Sequence, residues 1–460
     1  MCTLIVRVSG PLRGTVSVPG DKSISHRAIL LAALADGVSR IVNFLDGDDC
    51  RATLDCVRAL GVPVEAMNDV ESGLTLTVYG RGIHSLQAPT APLDCRRSGT
   101  TMRLLTGLLA AQPFDSVLTG DPQLLRRPMG RVVEPLCSIG ARIEAREDGS
   151  LAIQRTDGHR LHGREHILPV ASAQLKSALL LAGLYADGPT IIHQPGPARD
   201  HTERMLAAQI EEKGEEATSP AFVFDAQRTM LVPQMIERLR PLNMRVPGDV
   251  SSAVFPLVAA LLQPGSQITL TGVGLNPTRT GFLDVLVAMG ATTAMVTTSR
   301  PQSVNGELVA DIIVTGNDGS TRLHGTTVSG PTVIRMIDEF PLLAVVATQA
   351  QGVTVVRDAA ELRVKETDRI AGIVAALRRL GADIEARPDG FVVRGPTPLY
   401  GASVDSRGDH RLAMALAVAG LIATGETVIQ PAGCIADSFP GFVGLMQTLG
   451  AACEMERSSD

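Results

Sequence analysis

The chain has 460 residues, of which 45% are apolar and 20% charged, a composition typical of a soluble globular protein with two or three domains. Its net charge of -6 excludes a global field that attracts nucleic acid or an anionic membrane, and the 3% of aromatic residues argues against stacking platforms for single strands. The sequence has no apolar run of about 18 residues, no signal-peptide core in MCTLIVRVSG and seven scattered cysteines, so we expect a cytoplasmic protein with reduced thiols.

Six segments predict helices that are apolar nearly all round, which is typical of buried helices. In chain order they are VPGDKSISHRAILLAALADG from Val18, SGTTMRLLTGLLAA from Ser98, SAQLKSALLLAGLYADG from Ser172, VPGDVSSAVFPLVAALLQPG from Val246, IDEFPLLAVVATQAQG from Ile337 and GDHRLAMALAVAGLIATG from Gly408. Their alanine and glycine residues would let neighbouring backbones approach closely.

A second set of amphipathic helices alternates with the buried set. Most of them end in a glycine, a common signal just past the last helical turn. These glycines are Gly61, Gly140, Gly290, Gly381 and Gly450.

The repeated VPGD step indicates a duplicated half-chain, with the second half beginning near Arg245. We expect an α/β fold of six copies of roughly 75 residues, three per domain. Residues 1–20 plus 246–460 would form the first domain and residues 21–245 the second. Crossings near 20 and 245 suit a hinge. The alternative is a two-domain repeat protein without closure.

Polar turns precede the buried helices and carry many basic residues. Because a helix N-terminus attracts anions, several such turns at one cleft would form an anion trap. In DKSISHR, Lys22 and Ser23 lie at the helix start and Arg27 one turn later on the same face. A capped helix with a solvated arginine is the alternative for this motif.

Other turns repeat the pattern with weaker signals. The first half contributes Gly99, Arg103, Arg127, Arg131, Ser172, Gln174 and Lys176. The second half mixes acids with bases, at Asp338, Glu339, Arg363, Lys365, Glu366, Asp368, Arg369, Asp409, His410 and Arg411. A solvated charge run is the alternative interpretation of RVKETDR, although it precedes a helix at the same point of the repeat as the other polar turns.

At these motifs the chain resembles the 5-enolpyruvylshikimate-3-phosphate synthase family, with features of its class II branch. The motifs that carry the resemblance run from residue 18 to beyond residue 414 and are VPGDKSISHR, SGTTMR, RRPMGR, SAQLKSALLLAG, RDHTE, NPTRTG, RVKETDR and DHRLAM. The resemblance implies a two-domain inverse α/β barrel of six βαβαββ repeats, three per domain, with buried parallel helices.

The resemblance also implies a reaction and its residues. The enolpyruvyl group of phosphoenolpyruvate would pass to the 5-hydroxyl of shikimate 3-phosphate, with release of phosphate. Shikimate 3-phosphate would be bound by Lys22, Ser23, Arg27, Ser172, Ala173, Gln174, Arg199, Asp338 and Lys365. Phosphoenolpyruvate would be bound by Lys22, Gly99, Arg127, Gln174, Arg369 and Arg411. Asp338, Glu366 and Lys22 would move protons, with the division between Lys22 and Glu366 left open.

The same resemblance implies no cofactor and no metal, a monomer, and small-molecule substrates as the only partners. Three positions depart from the family pattern. Ala173 stands where some relatives have a second serine, Asp437 where many have a lysine, and Arg97 where an asparagine is often found.

Two competing functions remain open. The UDP-N-acetylglucosamine enolpyruvyl transferases have the same architecture but an asparagine at the position of Ser23 and no KETDR run. A non-catalytic anion-binding repeat protein is the other alternative, against which the acids Asp338 and Glu366 among many arginines argue. A metal site at His159, His162 and His166 has little support, because no carboxylate motif accompanies them.

Overall fold

The structure is a computed structural model that describes residues 2–69, 73–156, 160–213, 220–316 and 322–457. Its contacts divide the chain into unit 1, which is Met1–Pro19, Pro247–Ser303 and Leu308–Asp460, and unit 2, which is Gly20–Val246 and Val304–Glu307. The chain therefore passes from one unit to the other after Pro19 and after Val246. The short segment Val304–Glu307 is a further exchange that no sequence pattern indicates.

Unit 1 begins with two strands, and unit 2 follows. The strands of unit 1 are β1 (Cys2–Arg7) and β2 (Arg13–Ser17). Unit 2 then contains α1 (Lys22–Leu34), β3 (Asp36–Phe44), α2 (Asp48–Ala59), β4 (Val64–Asp69), β5 (Gly73–Arg81), β6 (Leu93–Asp94), α3 (Gly99–Leu109), β7 (Ser116–Thr119), α4 (Pro122–Leu125), α5 (Gly130–Ser138), β8 (Arg142–Ala145), β9 (Leu151–Gln154), β10 (Glu165–Ile167), α6 (Ala173–Gly183), β11 (Thr190–His193), α7 (His201–Gln209), β12 (Ile210–Glu212), β13 (Phe222–Phe224), β14 (Arg228–Leu231), β15 (Ile236–Leu239) and β16 (Asn243–Arg245).

The remaining elements return to unit 1, apart from the exchanged segment. They are α8 (Val250–Leu261), β17 (Gln267–Gly274), α9 (Gly281–Ala288), β18 (Val296–Thr298), β19 (Gln302–Val304), β20 (Glu307–Thr315), β21 (Thr327–Val328), α10 (Pro331–Arg335), α11 (Phe340–Gln349), β22 (Gly352–Val356), α12 (Arg369–Arg379), β23 (Asp383–Arg387), β24 (Gly390–Gly395), β25 (Ser403–Asp405), α13 (His410–Ile422), β26 (Glu426–Gln430), α14 (Phe442–Thr448) and β27 (Cys453–Arg457).

Six sheets in the described residues share one topology. Each has an edge strand parallel to its neighbour, followed by two antiparallel pairings. The orders in unit 2 are β16-β3-β5-β4, β6-β7-β9-β8 and β10-β11-β14-β13, and those in unit 1 are β2-β17-β20-β18, β21-β22-β24-β23 and β25-β26-β1-β27. The predicted α/β class is confirmed, whereas the closing of six repeats into barrels stays a prediction.

The strand before each VPGD step pairs with the opposite half of the sequence. β2 precedes Val18 and runs parallel to β17, with Thr15 opposite Thr269. β16 precedes Val246 and runs parallel to β3, with Met244 opposite Ile41. Each VPGD step therefore leads from an edge strand of one unit to the first buried helix of the other.

The six helices predicted to be buried are buried. They are α1, α3, α6, α8, α11 and α13, and every residue of α8 is buried. Close backbone approach is visible between α3 and α6, where a Cβ at Gly107 would lie 2.2 Å from the carbonyl oxygen of Ala178. Only glycine fits that approach.

Glycine also ends the amphipathic helices as predicted. Gly140 after α5 has φ +102° and Gly381 after α12 has φ +96°, values that side chains rarely adopt. Each unit has its own apolar core, built mainly from leucine, valine, isoleucine and alanine. Among the described helices, none has the length and hydropathy needed to span a membrane.

Candidate active site

The start of α1 holds a lysine beside a carboxylate. The side chain of Asp21 caps the helix by accepting a hydrogen bond of 2.9 Å from the backbone N–H of Ile24. The Lys22 ammonium lies 2.8 Å from Asp49 Oδ2 at the beginning of α2, and the two side chains are 17% and 13% exposed. The predicted ligand Lys22 is therefore held in place yet remains partly accessible.

Three predicted shikimate 3-phosphate ligands meet one turn further along α1. Arg27 donates from Nη1 to the backbone oxygen of Ser23 at 2.9 Å, and Arg199 Nη1 donates to Ser23 Oγ at 3.1 Å. Arg199 lies just before α7, so the contact joins segments that are far apart in the sequence. Two guanidinium groups thus flank one serine at a helix N-terminus, an arrangement that favours anions.

The starts of α3 and α6 form a second contact set in unit 2. A Cβ at Gly99 would lie 2.9 Å from Nη1 of both Arg103 and Arg127. Arg103 Nη1 donates to Gln174 Oε1 at 2.7 Å, and Gln174 Nε2 donates to Thr100 Oγ1 at 3.0 Å. The predicted phosphoenolpyruvate ligands Gly99, Arg127 and Gln174 are therefore neighbours, and Arg103 completes the set.

The start of α6 contains both candidate ligands and a lysine with a structural role. Ser172 caps the helix, accepting from the backbone N–H of Leu175 at 3.4 Å, and both Ser172 and Ala173 remain partly exposed. Lys176 instead is 1% exposed and forms an ion pair with the equally buried Glu203. The interpretation of Lys176 as a residue that binds a ligand anion is wrong, because its ammonium is paired with the Glu203 carboxylate inside the unit.

A buried imidazole lies behind these helix starts. His26 is fully buried, and its Nδ1 is 2.6 Å from Thr53 Oγ1, which in turn is 2.7 Å from Thr101 Oγ1. Thr101 Oγ1 donates to the α3 cap Ser98 at 2.8 Å. Burial lowers the pKa of His26 from 6.5 to about 3, so the imidazole is neutral at pH 7. This chain of side chains ties α1, α2 and α3 together.

We expect the contribution of His26 to stability to fall as the pH is lowered. Because its pKa is about 3 in the folded chain and about 6.5 unfolded, its contribution is complete above pH 6.5. Below that pH it declines by about 1.4 kcal/mol per pH unit, until the folded-state pKa is reached. Urea unfolding of the wild type and of His26→Asn at pH 7.5, 6, 5 and 4.5 measures the difference. A difference in unfolding free energy that is independent of pH would contradict the assignment.

In unit 1, one arginine binds three carboxylates. Arg369 begins α12 and is 1% exposed. Its Nε donates to Asp409 Oδ2 at 2.8 Å, Nη2 to Glu366 Oε2 at 2.7 Å and Nη1 to Asp338 Oδ1 at 3.2 Å. Burial lowers the pKa of Arg369, but the three carboxylates outweigh it and raise that pKa above its ordinary value. The predicted proton-transfer residues Asp338 and Glu366 are therefore held on one guanidinium.

Asp338 and Glu366 are also the accessible members of this group. Their side chains are 18% and 26% exposed, whereas that of Asp409, which caps α13, is fully buried. Asp409 Oδ1 accepts from the backbone N–H of Arg411 at 2.9 Å. The two predicted acid–base groups can therefore meet a ligand, while Asp409 serves as a buried anchor.

A buried polar network adjoins Asp338. Its neighbour Glu339 accepts a hydrogen bond from Ser251 Oγ, and Arg279 Nη2 donates to Ser251 Oγ at 2.7 Å and to the α8 cap Asp249 at 2.9 Å. Arg411 Nη1 donates to the backbone oxygen of Ser251 at 2.7 Å. Burial raises the pKa of the Glu339 carboxyl, and the charge of Asp338 raises it further.

Two other predicted positions lie at the ends of 3-10 turns in unit 1. Lys365 follows the turn Ala360–Val364, and burial lowers the pKa of its ammonium although Asp338 and Glu361 oppose the shift. Asp437 ends the turn Gly433–Asp437 and is partly exposed. His159 of the suggested metal site lies outside the described residues, and His162 pairs with Asp187 at 2.8 Å. Among the described residues, no cluster of metal-ligating side chains is found.

Comparison with known proteins identifies the family. The model described as EPSP synthase (3-phosphoshikimate 1-carboxyvinyltransferase) matches residues 6–446. The chain belongs to the EPSP synthase family. Enolpyruvyl transfer in the shikimate pathway is the activity that membership of this family supports.

Relatives from several bacteria agree over nearly the full length. The chain is 50% identical to the 3-phosphoshikimate 1-carboxyvinyltransferase of Desulforudis audaxviator, covering 97% of this chain and 99% of the relative. It is 51% identical to the enzyme of the same name from Pelotomaculum thermopropionicum, covering 96% of this chain and 98% of the relative. A solved EPSP synthase from Acinetobacter baumannii matches with a TM-score of 0.84 and 39% identity, covering 99% of this chain and 100% of that one.

Proposed function

We propose that this chain transfers the enolpyruvyl group of phosphoenolpyruvate to the 5-hydroxyl of shikimate 3-phosphate and releases phosphate. The observation that carries the proposal is the pair of partly exposed carboxylates, Asp338 and Glu366, held on the buried guanidinium of Arg369. Addition to a carbon–carbon double bond followed by elimination needs a proton acceptor and a proton donor. A site that only bound anions would have no need of partly exposed carboxylates among its cations.

In this proposal, the helix starts of unit 2 hold the anionic groups of the substrates. Arg27 and Arg199, which both contact Ser23, bind shikimate 3-phosphate, together with the partly exposed Ser172 at the start of α6. Ala173 and Gln174 continue the same turn. Asp338 and Lys365 of unit 1 are proposed to bind the hydroxyl groups of the shikimate ring.

Phosphoenolpyruvate is proposed to bind at the cationic side chains around Gly99. Gly99 leaves room against the Arg127 guanidinium, and Gln174 lies within reach of the neighbouring Arg103. Lys22 is proposed to contact both substrates, while Arg369 and Arg411 of unit 1 are proposed to bind phosphoenolpyruvate. Fixed positive groups stabilise the charge that develops on the departing phosphate.

The proposed reaction has two steps. The substrate 5-hydroxyl attacks C2 of phosphoenolpyruvate and gives its proton to Asp338, while C3 gains a proton from Glu366 or Lys22 and becomes a methyl group. The tetrahedral intermediate then loses phosphate from C2 and one proton from C3, which restores the double bond. The residue that gave its proton to C3 takes one back, and Asp338 gives its proton to the departing phosphate.

A phosphate-release assay tests the proposal and separates it from both alternatives. With phosphoenolpyruvate and shikimate 3-phosphate together, one phosphate should be released for each enolpyruvyl group transferred. Neither substrate alone should give phosphate, and UDP-N-acetylglucosamine should not replace shikimate 3-phosphate. Turnover with UDP-N-acetylglucosamine would support the related transferase, and binding without turnover would support a non-catalytic protein.

Gly99 is expected to control sensitivity to glyphosate, the phosphonate herbicide that occupies the phosphoenolpyruvate site in this family. A methyl group at Gly99 would meet the flexible ends of Arg103 and Arg127 at 2.9 Å, so both guanidinium groups can move aside. Because glyphosate is longer than phosphoenolpyruvate, we expect Gly99→Ala to raise its inhibition constant by roughly ten- to a hundredfold. The KM for phosphoenolpyruvate should rise by a smaller factor.

Steady-state inhibition at matched ionic strength measures both factors. Gly444→Ala is the control, because a Cβ at that exposed position would have no heavy atom within 4 Å. It should leave the inhibition constant and the KM unchanged. Equal factors for inhibitor and substrate in Gly99→Ala would contradict discrimination at this position.

A further inference from the structure

The guanidinium group of Arg27 is fixed from inside unit 2 by two buried hydroxyl groups. Arg27 Nε donates to Thr202 Oγ1 at 2.7 Å, and Nη2 donates to Ser177 Oγ at 2.9 Å. Nη1 donates to the backbone oxygen of Ser23 at 2.9 Å. Arg27, Ser177 and Thr202 are 3%, 1% and 1% exposed, so water cannot replace these partners. All three guanidinium nitrogens therefore have protein partners that set the plane of the group.

The hydroxyl groups form a chain with one direction. Ser177 Oγ donates to the backbone oxygen of Ala173 at 2.7 Å, one turn earlier in α6. Thr202 Oγ1 and Ser177 Oγ are 2.7 Å apart. Because the only hydroxyl proton of Ser177 is used for Ala173, the proton between the two side chains belongs to Thr202. Both oxygens can then accept from Arg27, whose charge makes these hydrogen bonds stronger than neutral ones.

This chain of bonds joins three helices that carry substrate ligands or their neighbours. Arg27 lies on α1, Ser177 and Ala173 on α6, and Thr202 on α7. A small movement of Thr202 would rotate the Arg27 guanidinium and shift the first turn of α6. Thr202 and Ser177 lie inside the motifs RDHTE and SAQLKSALLLAG, but no short sequence pattern marks either of them as functional.

We propose that Thr202 is a positioning residue, which holds the Arg27 guanidinium, both directly and through Ser177, in the plane that binds shikimate 3-phosphate. This inference rests on the proposed role of Arg27. Thr202 itself is 1% exposed and is not proposed to contact a substrate. Its side chain determines how well a cation that is already present is aimed, and orientation of a charged group by a fixed partner is a large part of binding strength.

The test is calorimetric titration of shikimate 3-phosphate into the full-length protein and its variants. Thr202→Val keeps the shape of the side chain but removes the acceptor of Arg27 Nε and the donor to Ser177. We expect the Kd for shikimate 3-phosphate to rise roughly tenfold or more, since a hydrogen bond to a charged group is lost. Thr202→Ser restores the hydroxyl and should bring the Kd back to within about twofold of the wild type.

Two further variants keep the test decisive. Ser177→Ala, at a helical position where alanine is well tolerated, should weaken binding in the same direction. Thr75→Val is the matched control, because Thr75 is a buried threonine of unit 2 whose hydroxyl has no hydrogen-bond partner among the described residues. It should leave the Kd unchanged.

The possible outcomes separate the inference from the function on which it rests. If Arg27→Lys binds shikimate 3-phosphate as the wild type does, the proposed role of Arg27 is wrong. If Arg27→Lys weakens binding but Thr202→Val does not, or if Thr202→Val only lowers the melting temperature, the positioning role of Thr202 is wrong. Failure of Thr202→Ser to restore binding would also overturn it.

Discussion

Glu366→Gln and Asp338→Asn are each expected to lower kcat by about 10²- to 10⁴-fold, the usual contribution of a general acid or base. Both changes keep the shape of the side chain and a hydrogen-bonding oxygen for Arg369, which lies 2.7 Å from Glu366 and 3.2 Å from Asp338. Binding of shikimate 3-phosphate, measured by calorimetry, should change far less than kcat. The physical reason is that a side-chain amide, unlike a carboxyl group, acts neither as a general acid nor as a general base at neutral pH.

Glu385→Gln provides the control for these two variants. Glu385 is a partly exposed carboxylate of β23 in the same unit and pairs with Arg387 and Arg394 at 3.4 and 3.5 Å. Its kcat should equal that of the wild type. A near-normal kcat for Glu366→Gln or Asp338→Asn would remove that residue from the proposed proton transfers.

Lys22→Gln is expected to lower kcat/KM by about 10²- to 10⁴-fold, because Lys22 is proposed both to contact the substrates and to take part in proton transfer. The change also leaves Asp49 without the ammonium that lies 2.8 Å away. The double variant Lys22→Gln with Asp49→Asn separates the two effects. It should regain stability in a thermal melt, yet it should remain as inactive as the single variant.

Lys213→Gln is the control for this prediction, since Lys213 is an exposed lysine of the same unit. Steady-state rates of the three variants and the wild type give the comparison. Recovery of activity in the double variant would mean that Lys22 merely neutralises Asp49, and its catalytic role would be withdrawn.

Much of the fold follows from periodic features of the sequence. Helix α8 has an almost continuous apolar stretch, and all of its residues are buried. Gly381 follows the last turn of α12 and has the positive φ that such a position requires. Patterns of this kind depend on local chemistry, so they can be recognised without a structure.

Features that depend on distant contacts could not be predicted. The segment Val304–Glu307 belongs to unit 2, where Glu307 Oε1 lies 2.7 Å from Nδ1 of the buried His201. Nothing in the composition of SVNGEL distinguishes it from an ordinary hairpin. The contact arises from tertiary packing, which a single sequence does not encode in any short pattern.

In the candidate site too, local motifs could be predicted from the sequence, whereas contacts between distant residues could not. Lys22, Arg27 and Gly99 could be predicted, because helix starts with basic and small residues indicate anion binding. Glu366 could be predicted from the motif RVKETDR. Motif membership could not tell which residues face a ligand. Lys176 lies in such a helix start and is nevertheless buried against Glu203, on a helix 27 positions further along the chain.

The contacts of Arg369 with three carboxylates could not be predicted from the sequence either. The resemblance assigned this arginine to phosphoenolpyruvate, and its position in KETDR gave no sign that it also holds three carboxylates. Asp409 and Asp338 come from segments 40 and 31 residues away from it. Only the fold brings their carboxylates to one guanidinium.

Incorporation of solvent deuterium at C3 of the enolpyruvyl group tests the central claim most directly. In the proposed reaction C3 becomes a methyl group and then loses one of its hydrogens, so a solvent deuteron should remain in part of the product. With both substrates in D₂O, proton NMR should show deuterium in the methylene group of product made by the wild type. Glu385→Gln should give the same result. A product that carries no deuterium, formed at the wild-type rate, would contradict addition followed by elimination and with it the roles assigned to Asp338 and Glu366.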